Sequence, residues 1–241
     1  MYALLLSAGL GTRLRPITNK IPKCLVTING KVLLDIWIKK LERVGVDNII
    51  INTHYMHDIV ESHMEKWKNR GKKIELHYEE KLLGTAGTLE AHKEVLRHDD
   101  CLVIHTDNIV EDSLTGFIRA HKERPRQCNI TMMTYTTERP HECGIIKTNS
   151  KNIVVEFHEK SKDYNGYQAN GAVYILAKEF WNYDTFSGKK NFDLTKDIIQ
   201  YLTGQIYSYE SKGYFDDIGS VERLEHACEY FRTRPDTDIM Q

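Results

Sequence analysis

In the first hundred positions, hydrophobic residues come as short dense runs separated by longer stretches with helical spacing. Residues 2–6 form an apolar run that breaks into Ser7-Ala8-Gly9-Leu10-Gly11, which reads as a buried strand entering a glycine turn. Pro16 and Pro22 keep residues 8–23 irregular, because proline lacks an amide donor and restricts its predecessor. Over 33–44 the residues Leu34, Trp37, Ile38, Leu41 and Val44 share one helical side. Strands are predicted at 48–52, 73–78 and 101–105, with helices over 57–69 and 86–97 between them. Strand and helix thus alternate with short connections, the signature of a parallel sheet covered by helices. From 129 the pattern changes to strands at 130–136, 144–147, 153–157 and 172–176 with few helices between. The chain closes with a helix over 193–203, strands near 205–209 and 214–217, a helix over 220–232 and a tail expected to fray.

Composition narrows the function. The 241 residues carry 33 basic and 34 acidic side chains, with 41% apolar and 28% charged residues. That is ordinary globular composition, and the near-zero net charge disfavours nucleic-acid or membrane-surface binding as the main task. Five cysteines, at 24, 101, 128, 143 and 228, show no paired spacing and read as reduced thiols of a cytoplasmic protein. No stretch reaches the ~20 apolar residues that a membrane helix needs.

The chemistry starts at Gly9-Leu-Gly-Thr-Arg-Leu-Arg-Pro. Glycines after a first strand let backbone amides approach a phosphate. Leu14 stands where the dinucleotide fingerprint needs its third glycine, and no GxxxxGK[ST] occurs. Arg13, Arg15, Lys20 and Lys23 instead crowd residues 9–23, a cation density suited to a polyphosphate. A glycine turn with solvated basic residues is the plainer alternative.

Asp107 ends the strand at 101–105, and Asp216 and Asp217 end the one near 214–217. Ligands of open α/β sheets bind beyond such strand ends, and Mg2+ takes one or two protein carboxylates. Either aspartate could equally cap a following helix. Leu83-Gly84-Thr85-Ala-Gly could admit a flat base, or simply start a helix. Glu159 and Lys160 could serve a sugar and its phosphate, or form a surface ion pair. His54 and His57 read as surface residues rather than a zinc site.

In this order, the segments resemble the sugar-1-phosphate nucleotidylyltransferases. The matching elements are the Gly9 motif with Pro22-Lys23, Leu83-Gly-Thr-Ala-Gly, Asp107, Cys143-Gly144-Ile, Glu159-Lys160, Asn170-Gly171 and Asp217-Ile-Gly. The resemblance implies a Rossmann-like α/β fold: a mixed, mostly parallel sheet flanked by helices, with a smaller strand-rich acceptor-binding sub-region. It implies one domain, with a nucleotide-binding half at 1–128, an acceptor-binding half at 129–232 and a tail at 233–241. It also implies transfer of a nucleotidyl group from an NTP to a sugar 1-phosphate, giving a nucleotide-sugar for surface glycans and pyrophosphate.

Carried over by position, Arg13, Lys23, Asp107 and Asp217 are catalytic, and the two aspartates hold Mg2+. Leu6, Ala8, Gly9, Gly11, Thr12, Arg13, Glu80, Gly84 and Thr85 bind the nucleotide. Gly144, Glu159, Lys160 and Asn170 bind the acceptor. The Leu-Gly-Thr-Ala-Gly turn is similar to the guanylyltransferase branch and favours GTP, with CTP, UTP and dTTP as alternatives. The partners expected are the NTP and a phosphorylated small molecule, with no nucleic acid and no membrane; a homo-oligomer is compatible with the resemblance.

Three positions depart from the family pattern. Thr106 replaces the glycine before the metal aspartate, Ser161 replaces a proline after Lys160, and Cys24 replaces a proline after Lys23. Thr106 and Ser161 are expected to flank the acceptor, which allows an unusual, even non-sugar, phosphorylated compound there. A catalytically inactive nucleotide-sugar sensor is the competing class, and the retained charged residues speak against it.

Overall fold

A computed structural model describes residues 1–160, 166–182, 192–234 and 239. It opens with β1 (Tyr2–Leu6), the short strands β2 (Thr27–Ile28) and β3 (Lys31–Val32), and helix α1 (Leu33–Arg43). Next come β4 (Asn48–Thr53), α2 (His57–Lys68), β5 (Lys73–Tyr78), α3 (Thr85–Ala91) and α4 (Lys93–Leu96). β6 (Cys101–His105), β7 (Asn108–Val110), α5 (Leu114–Glu123) and β8 (Ile130–Thr136) follow. The remainder is β9 (Gly144–Thr148), β10 (Val154–Glu159), β11 (Gln168–Leu176) and α6 (Leu194–Asp197), then β12 (Ile206–Glu210), β13 (Phe215–Asp217) and α7 (Val221–Arg232). The class is the expected one, an α/β protein with a mixed sheet flanked by helices.

Two compact units interleave along the chain. The first holds residues 2–82, 104–114 and 213–241, and the second holds residue 1, 83–103 and 115–212. The expected division at residue 129 follows the change of pattern along the sequence. The structural division follows contacts instead, so 83–103 group with the later strands and 213–241 with the early ones.

In the first unit β1 runs parallel to β4 and β4 to β5, with Leu4 opposite Ile50 and Ile50 opposite Glu75. The apolar run at the centre of β1, Ala3-Leu4-Leu5, is fully buried, as a parallel strand covered on both faces should be. α1 buries Leu33, Leu34, Trp37, Ile38 and Leu41 from its apolar side, and Trp37 Nε1 donates to the Asn108 carbonyl at 3.0 Å. A second core cluster gathers Leu14, Val26, Ile28, Leu33, Ile36, Ile109, Ile218, Leu224, Ala227, Phe231 and Ile239. Ile239 departs from the expectation of a frayed tail, since it is only 2% exposed. A large aliphatic side chain gains about 1.5–3 kcal/mol from such burial.

The second unit is mostly antiparallel. β9 pairs with β10, β11 with β8 and β9, and β12 lies parallel to β8. β11 starts at Gln168 rather than 172 and contains a register shift between Asn170 and Tyr174, where Ala172 takes a positive φ of 50°. The Asn170-Gly171 pair, which the expected strand at 172–176 leaves out, is therefore part of a bulge inside a strand. Two expected helices are broken. Residues 86–97 divide into α3 and α4 at His92, with φ −107° and ψ 8°. Residues 193–203 give α6 and a short 3-10 turn, Ile199–Tyr201, around Ile198 at φ −128° and ψ −67°. The five cysteines are unpaired, and no described helix is long and apolar enough to cross a membrane.

Candidate active site

β1 delivers the chain into the glycine turn of the first unit. Gly11 sits at φ 63°, and a Cβ built there would lie 2.9 Å from Thr18 Cγ2 and 3.2 Å from Lys23 Cβ. Only glycine satisfies both demands, the left-handed backbone and the close approach. Its carbonyl accepts from Thr18 Oγ1 at 2.7 Å and from the Leu14 amide at 2.9 Å, which closes the turn. Gly9 has no atom within 4 Å of its missing Cβ, so open space lies beside its backbone. Thr12 and Arg13 are exposed on the 3-10 turn Thr12–Leu14, while Leu14 is fully buried beneath it. The residue that breaks the dinucleotide fingerprint is thus the turn's anchor in the core. Ala8 is buried, Leu6 half-buried and Glu80 exposed.

Beyond the turn lies a compact charge cluster. β13 pairs antiparallel with β7, setting Asp217 opposite Asn108, and the Ile218 amide donates to the Asp107 carbonyl at 2.8 Å. That pairing brings aspartates far apart in sequence to one place. Lys23 Nζ donates to Asp107 Oδ2 and lies 3.7 Å from Asp217 Oδ1. Arg223 Nη1 donates to Asp216 Oδ1 at 3.1 Å and to the Asp217 carbonyl at 3.3 Å. A Cβ on Gly219 would come within 2.9 Å of both Arg13 Nη2 and Asp217 Oδ2, so guanidinium and carboxylate crowd the same stretch of backbone.

Burial is the largest influence on Asp107 and pushes its carboxyl upward. The Lys23 charge, His105 and the hydrogen bond from Lys23 together outweigh it and hold the group below the usual carboxylate range. Asp217 is pushed the other way, by burial first and by the neighbouring Asp107 charge second. Its Oδ1 is buried with no hydrogen-bond donor among the described residues. Two mutually repelling carboxylates, one with an unsatisfied oxygen, are a donor set that fits a hard divalent cation. His57, Asp58 and Glu61 also stand close together on α2, but the two acids are exposed, and exposed acidic groups are common without an ion.

The second unit carries the other candidate residues. Gly144 opens β9 opposite Glu159, and a Cβ there would meet Glu159 Oε2 at 2.7 Å and Phe157 Cζ at 2.9 Å. Glycine at 144 is what lets the Glu159 carboxylate lie against the strand. Burial raises Glu159 above its ordinary value, more than Lys160 and Lys196 lower it. Lys160 is exposed and holds a positive φ of 49°, with its amide donating to the Cys143 carbonyl at 3.1 Å. Inside the β11 bulge, Asn170 Nδ2 donates to Tyr174 Oη at 2.8 Å and Asn170 Oδ1 accepts from the Ala172 amide at 2.9 Å. Tyr174 Oη is also 3.2 Å from Thr195 Oγ1.

Gly84 and Thr85 begin α3 in the same unit. The Thr85 hydroxyl is engaged by the fold, accepting from the Leu194 amide at 2.7 Å and donating to Asp193 Oδ2 at 3.4 Å. The turn's backbone is engaged as well: the Ala86 and Gly87 amides donate to the Phe192 carbonyl at 2.9 and 3.3 Å, and the Gly84 carbonyl accepts from the Thr88 amide at 2.9 Å.

The structure therefore joins Gly9, Gly11, Arg13, Lys23, Asp107 and Asp217 in one unit and Gly84, Thr85, Gly144, Glu159, Lys160 and Asn170 in the other. Ser161 lies outside the described residues. Thr106, expected to flank the acceptor, is 2% exposed, and its hydroxyl donates to the Leu6 carbonyl at 3.0 Å, so the side chain is a core contact. Sequence reasoning missed Arg223, Asp193, Tyr174 and Thr195. Asp193 had a legible signal as the cap of α6, accepting from the Lys196 amide at 2.9 Å. Tyr174 and Thr195 had none.

A glycine turn after the first strand, with cations and paired aspartates beside it, defines an α/β protein built to handle phosphates. Residues 2–233 match the family described as Nucleotidyl transferase, and the chain belongs to it. It is 28% identical over 240 residues to the mannose-1-phosphate guanylyltransferase catalytic subunit beta of Xenopus tropicalis, covering 97% of this chain and 65% of that one. It is 29% identical to the mannose-1-phosphate guanyltransferase of Candida albicans, covering 95% of this chain and 64% of that one. The chain thus spans about two thirds, or slightly less, of the length of the curated relatives it matches. The crystal structure of HddC from Yersinia pseudotuberculosis complexed with GMP-PN superposes with a TM-score of 0.76 at 27% identity, covering 95% of this chain and 99% of that one. A Bacillus anthracis structure in complex with a sucrose gives a TM-score of 0.85 at 22% identity and bears on the fold alone.

Proposed function

We propose that this chain transfers a nucleotidyl group from an NTP, GTP by preference, to a phosphorylated acceptor of the sugar 1-phosphate class, with Mg2+ as cofactor. The observation that carries this reading is the cluster of Arg13, Lys23, Asp107 and Asp217 beside the glycine turn. In the reaction, an oxygen of the acceptor phosphate attacks the α-phosphorus. The bond from that phosphorus to the bridging oxygen breaks, and pyrophosphate leaves with the electron pair. The acceptor phosphate is already ionised at neutral pH, so no general base is needed. Catalysis then consists of in-line positioning and neutralisation of charge.

The chain's residues divide that work. The backbone around Gly9 and Gly11 cradles the triphosphate, and Arg13 draws on its outer phosphates. Lys23 neutralises charge that develops during the transfer. Asp107 and Asp217 would hold Mg2+, which supplies further charge neutralisation when bound. The backbone at Gly84 and Thr85 takes the base, and Leu6, Ala8, Thr12 and Glu80 also serve nucleotide binding. Glu159 and Asn170 accept from and donate to acceptor hydroxyls, Gly144 leaves room for them, and Lys160 attracts the acceptor phosphate.

The guanylyl activity named for the relatives and the GMP-PN in the HddC complex support GTP as donor. A nucleotide-sugar for surface-glycan assembly is the product that fits. The test is pyrophosphate release with Mg2+, each of five NTPs, and a panel of sugar 1-phosphates and phosphorylated non-sugars. Release with GTP and one sugar 1-phosphate is expected. Release only with a non-sugar would move the acceptor class, and silence throughout with NTP binding intact would favour a sensor.

A further inference from the structure

Two of the three departures from the family pattern meet at one buried hydroxyl. Ser7 Oγ lies 3.1 Å from Thr106 Oγ1 and is also hydrogen-bonded to the Cys24 thiol. Thr106 Oγ1 donates to the Leu6 carbonyl at 3.0 Å. Since the Thr106 proton is directed at Leu6, Ser7 donates to Thr106. Burial is the largest influence on the Cys24 thiol and pushes it up to about 12, so the thiol keeps its proton at neutral pH. The result is one buried network: Cys24 against Ser7, Ser7 to Thr106, Thr106 to the Leu6 carbonyl. Its three side chains are 1%, 8% and 2% exposed in that order, so water does not compete.

The backbone at Ser7 is fixed independently. Its amide donates to Asn52 Oδ1 at 2.6 Å, and Asn52 Nδ2 donates to Glu79 Oε1 at 2.8 Å. Each member of the network adjoins a residue of the charge cluster or the glycine turn. Cys24 follows Lys23, Thr106 precedes Asp107, and Ser7 opens the turn that runs to Gly11.

We propose that Ser7 is a positioning residue, whose hydroxyl, held between Cys24 and Thr106, sets Lys23 and Asp107 in the relative placement that nucleotidyl transfer requires. Thr106 and Cys24 stand where the family pattern has glycine and proline. A hydrogen-bonded link at Thr106 and Cys24 takes the place of a permissive glycine and a rigid proline. This inference rests on the transfer reaction proposed above, and the side chains altered in its test, Ser7 and Thr106, are not among the residues assigned to substrate contact.

The experiment compares Ser7→Ala, Thr106→Val and Thr106→Ser with the unaltered chain in steady-state pyrophosphate release. Thr106→Val keeps the shape and deletes the hydroxyl, while Thr106→Ser keeps the hydroxyl. Loss of placement without loss of contacts is expected to lower kcat at least about tenfold for Ser7→Ala and Thr106→Val, with both KM values within about twofold. Thr106→Ser is expected to restore kcat. Metal-free binding of a non-hydrolysable triphosphate, measured by calorimetry, and the Tm are expected to stay as in the unaltered chain.

A Thr106→Val variant with unaltered kcat overturns the positioning role. So does a loss that Thr106→Ser fails to rescue, or one that follows Tm or triphosphate affinity. If Ser7→Ala does not fold, the two Thr106 variants decide the matter. An unaltered chain that releases no pyrophosphate with any substrate pair overturns the functional reading itself. Turnover untouched by these substitutions overturns the positioning alone.

Discussion

The two sets of site residues are built on opposite electrostatic plans. In the first unit, charged groups face one another: Lys23 meets Asp107 and Asp217, Arg223 meets Asp216, and Arg13 crowds Asp217 at Gly219. Mutual neutralisation holds Asp107 ionised despite its burial. In the second unit the half-buried Glu159 feels Lys160, Lys196 and Asp193, yet burial rather than any of these charges dominates its titration. Asn170, Tyr174 and Thr195 there form a network of amide and hydroxyl groups. A site that must neutralise phosphates concentrates fixed charge, whereas a site that must tell one polyol from another uses directional neutral groups.

That contrast is open to attack at several points. The largest effect is expected for Asp107→Asn, which removes a charge without changing shape. kcat should fall on the order of 10²–10³-fold with an unchanged Tm, and wild-type turnover in saturating Mg2+ would refute the metal role. Arg13→Ala comes next. It should raise the KM for NTP about 10- to 100-fold, the range for one charge-assisted contact, while the acceptor KM stays put. An unchanged KM for NTP removes Arg13 from the phosphate site.

Gly11→Ala tests geometry rather than charge. It forces a Cβ into a positive φ and against Thr18, and should cost about 1–3 kcal/mol in chemical denaturation. Gly9→Ala enters open space, so stability should hold while NTP affinity drops; equal stability losses at the two glycines contradict the structure of the turn.

The smallest effect is expected in the second unit. Glu159→Gln should raise the acceptor KM about tenfold, as for one hydrogen bond to a charged group, without lowering Tm. The sign follows from the raised pKa of Glu159. Its protonated form is favoured in the fold, so its contribution to stability is present at low pH and lost as pH rises through the folded value. Its carboxylate form, which the proposed acceptor contact would use, is lost as pH falls through that same value, which lies above the ordinary 4.5. Acceptor binding should therefore weaken on the acid side, and the glutamine variant should lack that limb.

The first region was the more legible of the two in the sequence, for a physical reason. Gly9, Gly11, Arg13 and Lys23 lie in one loop, and a positive φ or a phosphate leaves a local mark in residue type. β1, β5 and β8 likewise appear where their apolar runs predict them. The second region depends on a bulge, on strand pairing and on a segment from 192 onward, none of which has a local signature. The sequence places a strand at 172–176 and leaves Asn170-Gly171 outside it, and only pairing with β8 makes that pair a strand interior.

Helix α5 was missed altogether. Gly116 in its first turn weakens the helical signal, yet the glycine is needed there, because a Cβ would come 2.5 Å from Tyr209 Oη. Arg223 was hidden for another reason. An arginine in the first turn of α7 looks like a solvated surface residue until the fold buries it to 6% exposure.

Leu14, Phe231 and Ile239 share one cluster. The underside of the glycine turn is thereby moored to the last helix and to the third residue from the end of this chain. A load applied at that end, by a fused partner, an immobilising tag or a pulling probe, has a mechanical path of packed side chains to the turn that carries Arg13. Attachment there is not a neutral choice, whereas a linkage at the exposed Val95 or Tyr201 has no such path through this cluster.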